Sequence, residues 1–204
     1  FTVERVNTDT LYAARVKLDS TALLATPQAG SIEFSNDRFY ITNVGTQRTI
    51  VRSSDVLTDS LNVSNTTSET VIYTGVLGAN DLKAGNKINV ETSGLISNNS
   101  ASDDITIKVY IGSTELSSFK PAIGNVTNAV WCADFDITVY SVGANGKVAF
   151  HGHTEIDDDT VDNGTKLQTI DMTAAQNLKI TATWDNAKAD NVITIYQGFM
   201  EWKN

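Results

Sequence analysis

The side chains best placed to do chemistry are His151-Gly152-His153, with Glu155 and the run Asp157-Asp158-Asp159 close behind. On a strand, positions 151, 153 and 155 share one face. Two imidazoles and a carboxylate then stand in a row, facing away from Val148 and Phe150 and so away from a core. In a three-fold assembly, a His-X-His pair near the axis supplies two nitrogens from each chain, a set that suits an octahedral transition metal. The commoner reading of a single pair is two surface or interface histidines in ordinary hydrogen bonds. His151, His153 and Glu155 are therefore metal candidates only, and no metal or other cofactor is assigned. The aspartates could gather calcium in a loop. Their spacing departs from the EF-hand pattern, and a solvated acidic turn is favoured.

Catalytic motifs are absent from the sequence. It holds no Gly-X-Ser-X-Gly nucleophile elbow and no Gly-rich phosphate loop. Cys132, beside Trp131, reads as a small apolar side chain. Asp and Glu are numerous, so a carboxylate pair for glycoside hydrolysis stays open on composition alone. The expectation is that the chain is not an enzyme. Trp131 and Trp184 fall on apolar stripes and read as core. Trp202, Tyr110, Tyr140 and Tyr196 are unassigned, and none is singled out as a platform for a sugar ring.

These residues must be carried by strands. The chain has 204 residues, a net charge of −9, two prolines and 19% charged residues, which opposes disorder. Such acidity also opposes nucleic-acid binding, which needs clustered Lys and Arg. One cysteine forms no internal disulfide. No stretch approaches the roughly 20 apolar residues of a membrane span, so no membrane insertion is expected.

Period-two alternation is long and clean in three places. Ile105, Ile107, Val109 and Ile111 point one way. Trp131, Ala133, Phe135, Ile137 and Val139 form a stripe facing away from Asp134, Asp136 and Thr138. Leu178, Ile180, Ala182 and Trp184 repeat the pattern. Further strands are expected at 70–77, 87–96, 147–155, 166–171 and 191–202. About eight strands over 69–204 predict an antiparallel β-sandwich of jelly-roll type. The loops near Asn98-Asn99, Lys120–Asn128 and Asp157–Gly164 are the long polar ones, where recognition usually sits. Ala101-Ser-Asp-Asp-Ile-Thr-Ile echoes Ala189-Asp-Asn-Val-Ile-Thr-Ile. Either the same turn chemistry is used twice, or the two halves of the sandwich are related by pseudo-symmetry.

Ahead of the sandwich, Thr26–Val51 reads as a β-meander. Ile32 and Phe34 alternate with Glu33 and Ser35, and Phe39 and Ile41 alternate with Arg38, Tyr40 and Thr42. Turns are expected at Asn36-Asp37 and at Asn43–Thr46. Roughly 25 residues cannot bury a core of their own. Residues 1–25 alternate more thinly, with a short helix at Leu11–Val16 as the other reading. The predicted organisation is thus all-β: 1–52 a stalk and meander neck, 53–68 a linker, 69–204 the sandwich head.

The run Thr26-Pro-Gln-Ala-Gly, Ile32-Glu-Phe, Phe39-Tyr-Ile-Thr and Arg48-Thr-Ile resembles a segment of bacteriophage fibre and other virion appendage proteins. The later Thr70-Val-Ile-Tyr-Thr-Gly, Asn80-Asp-Leu-Lys-Ala-Gly and Ser102-Asp-Asp-Ile-Thr-Ile-Lys-Val add to it, so the likeness runs from about Leu23 to Trp202. It implies a structural virion protein, made in the host bacterial cytoplasm, with a tail or head fibre as the setting. It implies a homotrimer registered by the neck, other virion proteins as neighbours, and a head for host attachment through a surface polysaccharide or protein receptor. A capsid decoration or cement protein is the alternative, and a carbohydrate-active module comes third. Phage depolymerases resemble long β-helices, and no coil repeat is present here.

Overall fold

The structure, a computed structural model, describes residues 24, 26, 28–35, 38–42, 49–50, 54–157 and 159–203. The chain divides into two compact units, Phe1–Val51 and Arg52–Asn204. The alternative helix at Leu11–Val16 and both meander turns lie outside the described residues.

In the first unit, β1 (Ile32–Ser35), β2 (Arg38–Ile41) and β3 (Thr49–Ile50) form an antiparallel sheet in that order. Ile32 pairs with Ile41 and Phe34 with Phe39, which puts these four positions on one face. Ile32 is 59% exposed and Phe39 46%. Tyr40 and Thr42, on the other face, are buried. On the first face Ile41 is half-buried, so that face's exposed apolar side chains among the described residues are Ile32 and Phe39.

The second unit is a two-sheet sandwich. It comprises β4 (Ser54–Val56), β5 (Leu61–Ser64), β6 (Thr70–Leu77), β7 (Lys87–Asn98), β8 (Ile105–Ile111), β9 (Thr114–Phe119), β10 (Val126–Ser141), β11 (Gly146–Ile156), β12 (Asp159–Ile170), β13 (Gln176–Trp184) and β14 (Val192–Lys203). The long sheet runs β12-β11-β10-β7-β14, with β4 and β5 both on the far edge of β14. The short sheet runs β6-β13-β8-β9. The orders β5-β14-β7-β10 and β6-β13-β8-β9 are those of an antiparallel jelly roll. The hairpin β11–β12 widens one sheet beyond it.

The alternation expected from the sequence is the alternation observed. Trp131, Phe135, Ile137, Ile105, Ile107, Leu178, Ile180 and Trp184 are all buried between the sheets. Phe119, Phe135 and Phe150 meet with ring centroids 5.4–6.1 Å apart, in tilted contacts that aromatic quadrupoles favour. Trp202 is buried too, whereas Tyr140 and Tyr196 are exposed.

Three expectations need correction. Residues 53–68, expected as a linker, contain β4 and β5, and Val63 is 2% exposed with its carbonyl accepting from Trp184 Nε1 at 3.4 Å. Polar turn formers around Leu61 and Val63, of which only Val63 is buried, concealed a strand that lies along a sheet edge. Strand β9 was not expected. A bulge opposite Val109 and Tyr110 leaves Leu116, Ser117 and Phe119 buried together, which breaks the period-two signal. Asp157–Gly164 is not a long loop. Ile156 pairs with Asp159, so the turn is short, Asp157 takes a left-handed φ of 51°, and β12 begins at once.

Candidate functional site

The register of the long sheet places its outward side chains in rows. One row crosses β12, β11, β10, β7 and β14 as Asp162, His153, Asp134, Glu91 and Phe199. The next holds Thr160, Glu155, Cys132, Ser93 and Gln197. On the other side stand His151, Asp136, Asn89 and Glu201. A groove of about 250 Å³ lies over the first two rows, lined by Glu91, Ser93, Cys132, Asp134, His153, Gln197 and Phe199.

Bulges and one glycine shape this face. On β14, Ile195 pairs with Gly94 and Gln197 with Ser93, so Tyr196 is the extra residue. The bulge shifts the phase of the strand: Ile193 and Ile195 are buried before it, Met200 and Trp202 after it. Gln197 and Phe199 thereby turn outward to the groove. Beneath the bulge, Trp131 Nε1 donates to the Thr194 carbonyl at 3.0 Å. A Cβ on Gly94 would lie 1.8 Å from that carbonyl oxygen and 2.8 Å from the indole nitrogen. Only glycine lets the strands approach this closely.

Polar contacts hold part of the groove. Asn89, 4% exposed, donates from Nδ2 to Asp134 Oδ1 at 3.0 Å and, more weakly, to Asp136 Oδ1 at 3.4 Å. Lys87 pairs with Asp136 at 2.7 Å. Ser93 Oγ donates to Gln197 Oε1 at 3.3 Å. Burial first, then the carboxylates of Glu155 and Asp134, push the Cys132 thiol pKa up, so it stays protonated near neutral pH. A protonated thiol is a poor nucleophile.

The three metal candidates share the outward face of β11, as the spacing required. His153 is half-buried and lines the groove, whereas His151 and Glu155 are exposed. Their cross-strand neighbours are Asp134 for His153, Asp136 for His151 and Cys132 for Glu155. Among the described residues, no group of three or more His, Cys, Asp or Glu side chains is placed to hold a metal ion. Of the aspartate run, Asp159 Oδ2 accepts from the Ala122 amide at 3.0 Å, which makes it a loop tie. Asp134 was legible as an outward residue. Glu91, Ser93, Gln197 and Phe199 were not seen as a set, because only the register brings them together.

A second polar cluster closes one end of the sandwich. Asp103, 1% exposed, pairs with Lys188 at 2.7 Å. It also accepts from Asn186 Nδ2 at 3.0 Å and from Asn191 Nδ2 at 3.1 Å. The Lys188 hydrogen bond is the largest influence holding its carboxyl below the ordinary 3.8, and Asn191 and Asn186 add to it against the cost of burial.

Comparison with known proteins adds little. No family profile matches the chain, and no curated protein matches it. Among solved structures, the CBM2 module of the evolved Dit of Lactobacillus casei BL23 phage J-1 is similar at 12% identity. That match covers 86% of this chain and 80% of the other, with a TM-score of 0.32. A likeness of that strength carries no argument about fold or function.

Proposed function

We propose that the chain is a structural protein of a virion appendage, in which three copies join through the meander and the sandwich serves as a host-attachment head. The observation that carries this reading is the exposure of two apolar side chains on one face of the meander. Ile32 and Phe39 stand exposed on a sheet of three short strands, and the structure covers Tyr40 and Thr42 instead. Exposed apolar side chains grouped on one face mark an interaction surface. The resemblance in sequence to phage fibre and appendage proteins supplies the setting and the number three. The jelly roll has a packed core of its own, and binding by several copies gives avidity from weak single contacts.

The reading is binding rather than catalysis. It places the chain in the virion, beside other virion proteins, and needs no cofactor. Antibody raised against the sandwich unit should decorate an appendage in imaged particles, and purified protein should compete with particles for adsorption to host cells. Labelling spread over the capsid shell, with no competition, would turn the assignment to a decoration protein.

A further inference from the structure

Glu91 and Asp134 stand directly opposite on β7 and β10. Side chains so placed have Cβ atoms roughly 4.5–5.5 Å apart, where like charges repel. Neither row over the groove contains a lysine or arginine. Lys87, in the row beyond Asn89, is engaged by Asp136. Asn89 occupies only Oδ1 of Asp134, and among the described residues neither Asp134 Oδ2 nor the Glu91 carboxylate has a partner. Gln197 accepts through Oε1 from Ser93, which leaves its amide NH2 as a donor. Phe199, half-buried, supplies a flat apolar wall.

The imidazole of His153 stands opposite Asp134 on the other side. Exposed Glu91 and half-buried Asp134 have no lysine or arginine in their rows, so the pair favours added positive charge. The described side chains do not converge as a metal cage, so the charge fits an ammonium better than a bare ion. The hydroxyl, the amide and the ring suit a hydroxylated ring with an apolar face. At about 250 Å³ the groove is smaller than the roughly 300–1,000 Å³ of pockets for drug-sized ligands, a size for one ring at a time.

We infer that this groove binds an amino sugar with a free amine, as one unit of a longer glycan. The ammonium sits between Glu91 and Asp134, hydroxyls meet Ser93 and Gln197, and a ring face lies on Phe199. The inference rests on reading the sandwich as a binding head, and it names the ligand class of that head.

Calorimetric titration of the whole protein with a β-1,4-linked glucosamine tetramer, and with its fully N-acetylated counterpart, tests it. The free-amine tetramer should bind at least about tenfold more tightly, because charge-assisted hydrogen bonds are about twice as strong as neutral ones. Raising salt from about 50 to about 300 mM should weaken it. Glu91→Gln and Asp134→Asn should each weaken it by roughly five- to tenfold, because each removes half of the charge pair facing the amine. Glu115→Gln, on the short sheet, controls for general attraction to an acidic protein and should change nothing. Circular dichroism of the variants checks their folding. Equal binding of the two tetramers, no binding of either, or binding that neither groove variant alters overturns the inference. Adsorption competition undiminished in Glu91→Gln also removes the groove's role while leaving the appendage reading intact. Variant-sensitive sugar binding by a protein absent from any appendage upholds the groove and removes the appendage.

Discussion

Asp103 and Asn191 hold the same place in the two echoed segments, and the structure makes them touch. Each closes the same tight turn: the Asp103 amide donates to the Ser100 carbonyl at 3.0 Å, and the Asn191 amide to the Lys188 carbonyl at 3.1 Å. One turn opens β8 in the short sheet and the other opens β14 in the long sheet, and the two side chains bond to each other. The echo was legible in sequence, but its meaning was not, since turn chemistry alone explains a repeated Asx residue. The buried carboxylate has a consequence with a sign. Its folded pKa lies below the ordinary 3.8, so its contribution is present above the unfolded value and is lost as pH falls through the folded one. Urea midpoints should therefore drop from about pH 5 downward, and Asp103→Asn should flatten that part of the profile. An unchanged acid limb in the variant would count against Asp103 as its source. Gly94 carries a second prediction. Gly94→Ala forces a methyl onto the Thr194 carbonyl and the Trp131 indole, so it should cost about 1–3 kcal/mol or more in denaturant unfolding. Nothing in sequence marks this glycine, because the contact belongs to a bulge on a strand 100 residues later, at Thr194.

Elements were legible wherever apolar residues kept strict alternation, even where a neighbour pairs through a bulge, as β9 does with β8 and β6 with β13. β8, β10 and β13 have apolar positions strictly two apart, and they form the core as written. Strands β5 and β9 were missed because phase or burial is broken locally. The same kind of break in β14, itself expected at 191–202, hid the aim of Gln197 and Phe199. Leu116 sits in a bulge within β9, Tyr196 sits in a bulge within β14, and β5 buries only Val63. The shift from Ile193 and Ile195 to Met200 and Trp202 was a readable sign of the β14 bulge, and with it the outward aim of Gln197 and Phe199. Element β5 invites a direct check. If 53–68 belongs to the sandwich edge, Val63→Asp buries an unpaired carboxylate beside Trp184, and the unfolding free energy should fall by about 3 kcal/mol or more. A loss under about 0.5 kcal/mol, the size usual for surface substitutions, would return the segment to linker status.

At the scale of the whole molecule, the two units face different requirements. The sandwich buries Trp131, Trp184, Phe119, Phe135 and Phe150 between its own sheets, while Tyr140, Leu167 and Tyr196 stay exposed. It has the strand complement of a jelly roll within one chain and needs no second copy to complete it. The meander has three short strands and leaves Ile32 and Phe39 in the open. A side chain the size of Ile or Phe gains about 1.5–3 kcal/mol on full burial, so even a few such residues from each of three chains favour association. Stability and assembly should then separate by unit. Mass measurement in solution at micromolar concentration should return three chains for the native protein, and the double variant Ile32→Ser, Phe39→Ser should shift that mass toward one. The denaturation midpoint of the sandwich should stay unchanged in the same variant, because neither side chain belongs to its core. A variant that kept the native mass would move the assembly surface away from the meander. A variant that lost the sandwich transition as well would show that the head depends on assembly, which its closed core argues against.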